Sequence, residues 1–298
     1  MELWFGITVV AAFLQNARSL LQKRLTGLLS VNGAAYVRFF YALPFAWLYA
    51  ALLWWTEDVW AADTLLFNNQ FWIYILMGAL AQIAATACLL GSFTTGNFAV
   101  GTAYSKTEAA QAALFGLIIL GDAVNQWIIA GIAVSLVGVV LLSGQMSLSA
   151  LLKPNRAMAL GLAAATGFAI SAIGFRGASL ALESGNYLQR AGLTVAIAVS
   201  LQTLVMGAFL FVREPGQLTL TLRHYRVAIW VGLIGMIASA GWFTAMTLKS
   251  AAVVRAVGQI ELLFTVITSV WLLKERITAR EILGMLAVIA GIVLLLVP

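Results

Sequence analysis

Residues 99–142 read AVGTAYSKTEAAQAALFGLIILGDAVNQWIIAGIAVSLVGVVLL, and residues 252–295 read AVVRAVGQIELLFTVITSVWLLKERITAREILGMLAVIAGIVLL. A shift of 153 positions lays one stretch on the other. Glu108 then falls on Glu261, Asp122 on Glu275, Gly131 on Gly284 and Gly138 on Gly291, and Leu141–Leu142 fall on Leu294–Leu295. The apolar runs Ala99–Leu120 and Ala252–Leu273 are both 22 residues long, and each carries its glutamate at the tenth position. Upstream the correspondence is fainter, with Gly78 near Gly232 and Gly6 near Gly161. The chain therefore reads as a duplication.

What is duplicated follows from composition. The 298 residues are 62% hydrophobic and 9% charged, with a mean hydropathy of +0.99. Soluble domains hold roughly 45–50% apolar residues. Apolar runs of about twenty residues recur throughout, the length needed to cross a bilayer. Backbone groups in lipid must be satisfied within the segment, which makes such runs α-helices. Ten spans are predicted: Leu3–Leu21, Gly33–Trp55, Phe71–Phe93, Ala99–Leu120, Gln126–Ser143, Ala157–Gly174, Tyr187–Val212, Val227–Leu248, Ala252–Leu273 and Ile282–Val297. The fold expected is an all-α integral membrane protein, with residues 1–145 as the first five-helix repeat, 146–156 as connector and 157–298 as the second. Five spans per repeat is odd, so the second repeat enters the membrane inverted, and substrate sites of such proteins lie near the midplane between the halves.

Several function classes drop out. Cys88 is the single cysteine and His224, in a polar connector, the single histidine, which leaves no disulfide, metal cluster or Cys/His catalytic pair. No HExxH or GxSxG occurs, so an embedded enzyme lacks its reactive groups. Neither a cofactor nor a metal is expected. The formal charge of +6 sits at span ends as an orientation signal, not on a nucleic-acid-binding domain. "MELWFG" has an acid at Glu2 and no basic leader, so the first run is expected to be a retained helix. Lys23, Arg24, Lys153, Arg156, Arg213, Arg223, Arg226, Lys274, Arg276 and Arg280 flank odd-numbered connectors, whereas Glu57–Gln70 holds three acids and no Lys or Arg. The positive-inside rule puts the odd connectors in the cytoplasm and both termini outside.

Charge inside the spans marks the candidate site. Ionisable groups at bilayer depth are retained where they face protein or a water-filled cavity, and they default to functional readings. Tyr104, Glu108, Gln111 and Phe115 recur at helical spacing as one stripe. Lys106 lies about 200° around a continuous helix from Glu108 and does not face it. In the ninth span Arg255 and Gln259 share one stripe, and Val257, Glu261 and Phe264 another. Gln15 and Asn16 in the first span, Arg38 in the second, Gln82 in the third and Trp242 in the eighth complete the candidates. Each has a structural alternative: inter-helix bridges for the charges, a lipid-phosphate anchor for Arg38, and helix–helix hydrogen bonds or packing for Gln82 and Trp242.

These features resemble the drug/metabolite transporter superfamily, in its ten-helix EamA-type branch. The likeness spans the full length and rests on Glu108…Gly121-Asp122…Gly131…Gly138, on Glu261…Lys274-Glu275…Gly284…Gly291, and on Val37–Phe40 ("VRFF"). Ala109 and Leu262 stand where the family often has proline, which argues for unbroken helices here, and Lys106 is outside the general pattern. The resemblance implies alternating-access movement of a small metabolite in a bacterial-type inner membrane, commonly export of amino acids; the aromatic amino-acid exporters of the YddG type form one branch. It also implies cytoplasmic termini, against the charge bias. A zwitterion suits the residues: Lys106 or Arg38 for a carboxylate, Glu108 or Glu261 for an ammonium, Tyr104 or Trp242 for stacking. An organic cation or nucleoside-like metabolite suits them as well. A flippase for lipid or polyprenyl-linked head groups is the alternative reading; a channel lacks a filter segment. Proton exchange at Glu108 or Glu261, and a monomer or homodimer in the bilayer, complete the expectations.

Overall fold

Proline and capping residues punctuate the apolar runs. The computed structural model describes residues 2–25, 27–55, 68–93, 98–142, 155–273 and 278–297; most of the central connector (146–154), the acidic stretch 57–67 and Lys274–Glu275 lie outside them. Among the described residues there is no strand. The helices are α1 (Leu3–Leu25), α2 (Val31–Phe40), α3 (Leu43–Trp54), α4 (Asn69–Phe93), α5 (Phe98–Ser105), α6 (Glu108–Phe115), α7 (Gln126–Leu142), α8 (Arg156–Ala181), α9 (Tyr187–Arg213), α10 (Pro215–Arg223), α11 (Tyr225–Leu248), α12 (Ala251–Gly258), α13 (Glu261–Leu273) and α14 (Ala279–Leu295). A π-helical turn at Gly116–Leu120 follows α6 and closes on Gly121, at φ +68°.

Pro44 sits in the first turn of α3 and Pro215 in that of α10, where the missing N–H has no intrahelical partner to lose. Pro44 also divides the second predicted span into α2 and α3. Ser30 caps α2 by accepting from the Gly33 amide, and Asn186 with Gln189 and Thr278 with Glu281 form capping boxes on α9 and α14. Among the described residues five segments are long and apolar enough to cross a membrane: Val31–Trp54, Asn69–Ser92, Arg156–Ala181, Tyr187–Arg213 and Tyr225–Leu248. The other predicted spans fall short for local reasons. Gln15, Asn16 and Arg18 lower the hydropathy of α1, α7 and α14 have 17 residues each, and the fourth and ninth spans are broken.

Two compact units emerge: Met1–Leu80 with Gly174–Leu248, and Ala81–Ile173 with Lys249–Pro298. Of the three boundaries, two fall inside helices, α4 and α8, and the third follows α11, so each unit draws on both halves of the chain. In the first unit α1 lies along α11, while α2 and α3 pack on α9. Gly78 and Gly174 bring α4 and α8 together; a Cβ on Gly174 would stand 2.7 Å from the Gly78 nitrogen. Leu25, Leu29, Ala34, Val37, Ala228 and Val231 form a buried cluster, against which Leu220 of α10 packs. Beside it the Glu214 carboxylate accepts from the Ser30 hydroxyl and, at 2.7 Å, from the Asn32 amide, while Gln217 Oε1 accepts from the Ser30 backbone N–H at 2.8 Å.

Those two donors hold the Glu214 carboxyl below its ordinary value, Ser30 contributing most. A depressed folded-state pKa contributes stability above the unfolded value of about 4.3, and that contribution is lost as pH falls through the folded value. Glu214→Gln is therefore expected to melt below the wild type at neutral pH and to converge with it in acid. A constant difference across a pH series of melting curves would remove Glu214 as the source.

In the second unit α7 and α14 cross at backbone distance. A Cβ on Gly138 would lie 2.7 Å from the Gly284 carbonyl oxygen and from Val288, and one on Gly131 would lie 2.8 Å from the Gly291 oxygen. Rising numbers on α7 meet falling numbers on α14, so the pair is antiparallel. Small residues that let backbones meet are how helices associate where lipid removes the hydrophobic drive.

Candidate functional site

The fourth and ninth predicted spans are both interrupted at their centres, without proline. α5 ends at Ser105 and α6 begins at Glu108; α12 ends at Gly258 and α13 begins at Glu261. Tight i→i−3 bonds make the turns: Lys106 N–H to Ala103 O and Thr107 N–H to Tyr104 O in one, Gln259 N–H to Ala256 O and Ile260 N–H to Val257 O in the other. The Thr107 hydroxyl adds a bond to Tyr104 O at 2.7 Å. Each glutamate thereby becomes the first residue of a helix, where a carboxylate faces the positive end of the dipole.

The broken geometry corrects the stripes predicted for continuous helices. Tyr104 lies on α5, apart from Glu108, Gln111 and Phe115 on α6; Arg255 and Val257 lie on α12, apart from Glu261 and Phe264 on α13. The absence of proline at Ala109 and Leu262 did not prevent the breaks. Both are the second residue of their new helix, a position that accepts proline. Ala109→Pro is accordingly expected to be tolerated better than Ala112→Pro, since both sites are fully buried but only the second is interior. An interior proline costs about 3 kcal/mol or more, and paired melting curves would expose equal losses if the break were not intrinsic.

At the breaks four charges meet. Lys106 Nζ pairs with Glu261 Oε1, and Arg255 Nη1 approaches Glu108 Oε1 at 3.9 Å. Their side chains are between 12% and 17% exposed. Gln259, buried, donates from Nε2 to the Lys106 carbonyl at 3.3 Å and so satisfies an acceptor that the break leaves without a helical donor. Its Oε1 has no partner among the described residues. Gln111 extends the network: Nε2 donates to Thr107 Oγ1 at 3.2 Å, and Oε1 accepts from Thr166 of α8 at 2.7 Å. Two cations and two anions make the cluster formally neutral. All of it lies within the second unit, and it joins residues from both halves of the chain.

The remaining candidates lie elsewhere. Gln82, on α4 in the second unit, takes the Thr86 hydroxyl on its backbone carbonyl. In the first unit Trp242 is buried and its indole N–H donates to Gln15 Oε1 at 3.0 Å, linking α11 to α1, with Asn16 beside Gln15 on α1. Arg38 lies over the ring of its neighbour Phe39 at 4.5 Å. That unit also holds an apolar cleft of about 600 Å³ along α1 and α11, with Ile7, Leu14, Met236 and Ala240 among its walls. Among the described residues no group of His, Cys, Asp and Glu could hold a metal ion. Two pairings are not legible in the sequence. Arg255 and Thr166 reach Glu108 and Gln111 across 147 and 55 positions, and an arginine inside an apolar run is the only signal for the first.

The sequence profile of the EamA-like transporter family matches residues 155–297. The matched segment is just under half of the chain, and it is similar to the transporters of that family, within the drug/metabolite transporter superfamily. No curated protein matches the chain in sequence. A solved crystal structure of a protein superposes on it with a TM-score of 0.70 at 12% identity, covering 98% of this chain and 97% of that one. At that identity the likeness is one of fold. Its apolar helices and that match make the chain a multi-pass membrane protein.

Proposed function

We propose that this EamA-type protein is a secondary transporter of ten spans, two inverted five-helix repeats, that exports a small zwitterion such as an amino acid across a bacterial-type inner membrane by alternating access. The observation that carries the reading is the duplicated helix break with its neutral quartet, Lys106–Glu261 and Arg255–Glu108. Half-helix ends near the midplane of inverted repeats are where such proteins hold substrate. The antiparallel crossing of the matched glycines on α7 and α14 supports the inverted arrangement.

Neutrality supports the substrate class. A zwitterion can take Lys106 from Glu261 with its carboxylate and offer its ammonium to the freed Glu261 or to Glu108, leaving the site neutral at every stage. A lone organic cation leaves one unbalanced charge in a low-dielectric site. Gln259 Oε1 is a buried acceptor open to the ammonium, and Tyr104 and Gln111 flank the break. Gln82 on α4, and Gln15, Asn16, Arg38 and Trp242 in the first unit, are the further residues proposed to meet substrate. Glu108, paired at the longer distance, is the proton carrier in the export cycle. The odd connectors are cytoplasmic and the termini outside; a carboxy-terminal reporter active only in the cytoplasm overturns that orientation.

The test is uptake into proteoliposomes, with thermal shift in detergent, against amino acids, quaternary amines, nucleosides and sugars. Flux confined to zwitterions is expected. A response to lipid or polyprenyl-linked head groups alone sinks the metabolite reading in favour of a flippase. Glu108→Gln should abolish pH-gradient-driven flux and spare exchange, and unchanged gradient-driven flux rules Glu108 out as the carrier.

A further inference from the structure

Between α9 and α11 the chain builds a short helix that the proposed transport cycle does not use. α10 begins at Pro215 and turns one side inward: Thr221 is buried, and Leu220 packs on the Leu25–Val231 cluster. Glu214 and Gln217 fasten it to the start of α2 through Ser30 and Asn32. A Cβ on Gly33 would stand 2.6 Å from Gln217 Oε1, so the glycine leaves that side chain room to reach the Ser30 amide. The helix is thus held against the body of its unit.

Its other side is basic and apolar together. Leu222 and Arg223 are exposed on α10, with Phe211, Val212 and Arg213 exposed just before it and Tyr225, Arg226 and Trp230 just after. Among the described residues none of the three arginines forms a salt bridge. The single acid of the segment, Glu214, is committed to Ser30 and Asn32. We propose that this face is a binding site for anionic phospholipid: Arg213, Arg223 and Arg226 meet the head-group phosphates while Leu222, Tyr225 and Trp230 enter the head-group and upper acyl layer. Arginines combined with exposed aromatic and aliphatic groups on a short helix and the adjoining ends of two spans match the chemistry of an anionic leaflet surface, where charge attraction and apolar burial add. A free soluble anion would use the arginines and leave the apolar groups without a role. The site stands independently of what the protein transports.

The test uses the full-length protein purified in neutral detergent, with retained lipid counted by native mass spectrometry during titration with phosphatidylglycerol or phosphatidylcholine. The wild type should prefer phosphatidylglycerol, and R213Q/R223Q/R226Q should weaken its retention on the order of a hundredfold while leaving phosphatidylcholine unchanged. Equal retention of both lipids by the wild type overturns the proposal, as does a triple variant that retains phosphatidylglycerol normally. Competition by inorganic phosphate at concentrations comparable to the lipid also overturns it, in favour of a free-anion site. Should the triple variant fail to fold, the salt dependence of wild-type retention decides: a steep fall with added salt supports head-group pairing, and a flat response overturns it.

Discussion

Glu261→Gln is expected to reduce substrate flux at least a hundredfold while the protein still inserts in the membrane. The substitution leaves Lys106 Nζ facing a neutral amide beside Gln259 and the Arg255–Glu108 pair. Removing one partner from a fully buried pair costs about 3–5 kcal/mol, chiefly through the charge left behind. With these side chains 16% and 17% exposed, about 1–3 kcal/mol of stability is the expected loss. Stability alone does not separate a substrate site from a brace, and the double variant Lys106→Met/Glu261→Met does. Apolar replacement of both members of an ion pair is often neutral or stabilising, so melting should recover toward the wild type. Flux should stay lost if the pair opens to receive substrate. Recovery of both would make the pair a brace and remove it from the site.

The second large effect concerns α7 and α14. Gly291→Val is expected to destabilise the protein by about 3 kcal/mol or more, the upper range for overpacking. The new Cβ would lie 2.7 Å from the Gly131 carbonyl oxygen and from the Ser135 nitrogen, so backbone rather than a flexible side chain would have to move. Gly138→Val should match it, since its Cβ meets the Gly284 oxygen and the Val288 nitrogen at the same distance. Gly6→Val, where a Cβ meets nothing within 4 Å, is the control and should melt within about 1 kcal/mol of the wild type. A tolerated Gly291→Val would mean the helices separate freely at this crossing.

Most helix starts are legible in the amino-acid sequence. The runs starting at Leu3, Gln126 and Tyr187 open helices at those same residues, and the second and third runs differ from their helices by about two residues at the start. Hydropathy shows such boundaries because lipid leaves no alternative to intrahelical bonding. The breaks at Lys106–Thr107 and Gln259–Ile260 are hidden. Both are made by i→i−3 bonds, with the Thr107 hydroxyl and the distant Gln259 adding bonds at the first, and no proline announces either. The charges stand out of place in their apolar runs, and Glu108 and Glu261 can be matched by counting. Their partners cannot, because neither Arg255 nor Lys106 has a charged counterpart at the shifted position: Thr102 and Gln259 stand there.

The crossing of α7 and α14 has the form of a subunit interface. Under the 153-residue shift Gly131 becomes Gly284 and Gly291 becomes Gly138, so the contact of Gly131 with Gly291 turns into that of Gly284 with Gly138. Both contacts are present, and the interface reads the same from either helix. A self-complementary patch of this kind is what joins identical subunits about a two-fold axis. Here α7 and α14 belong to one chain, and each covers the other's glycines: a contact of the form that two subunits would share is made within a single molecule.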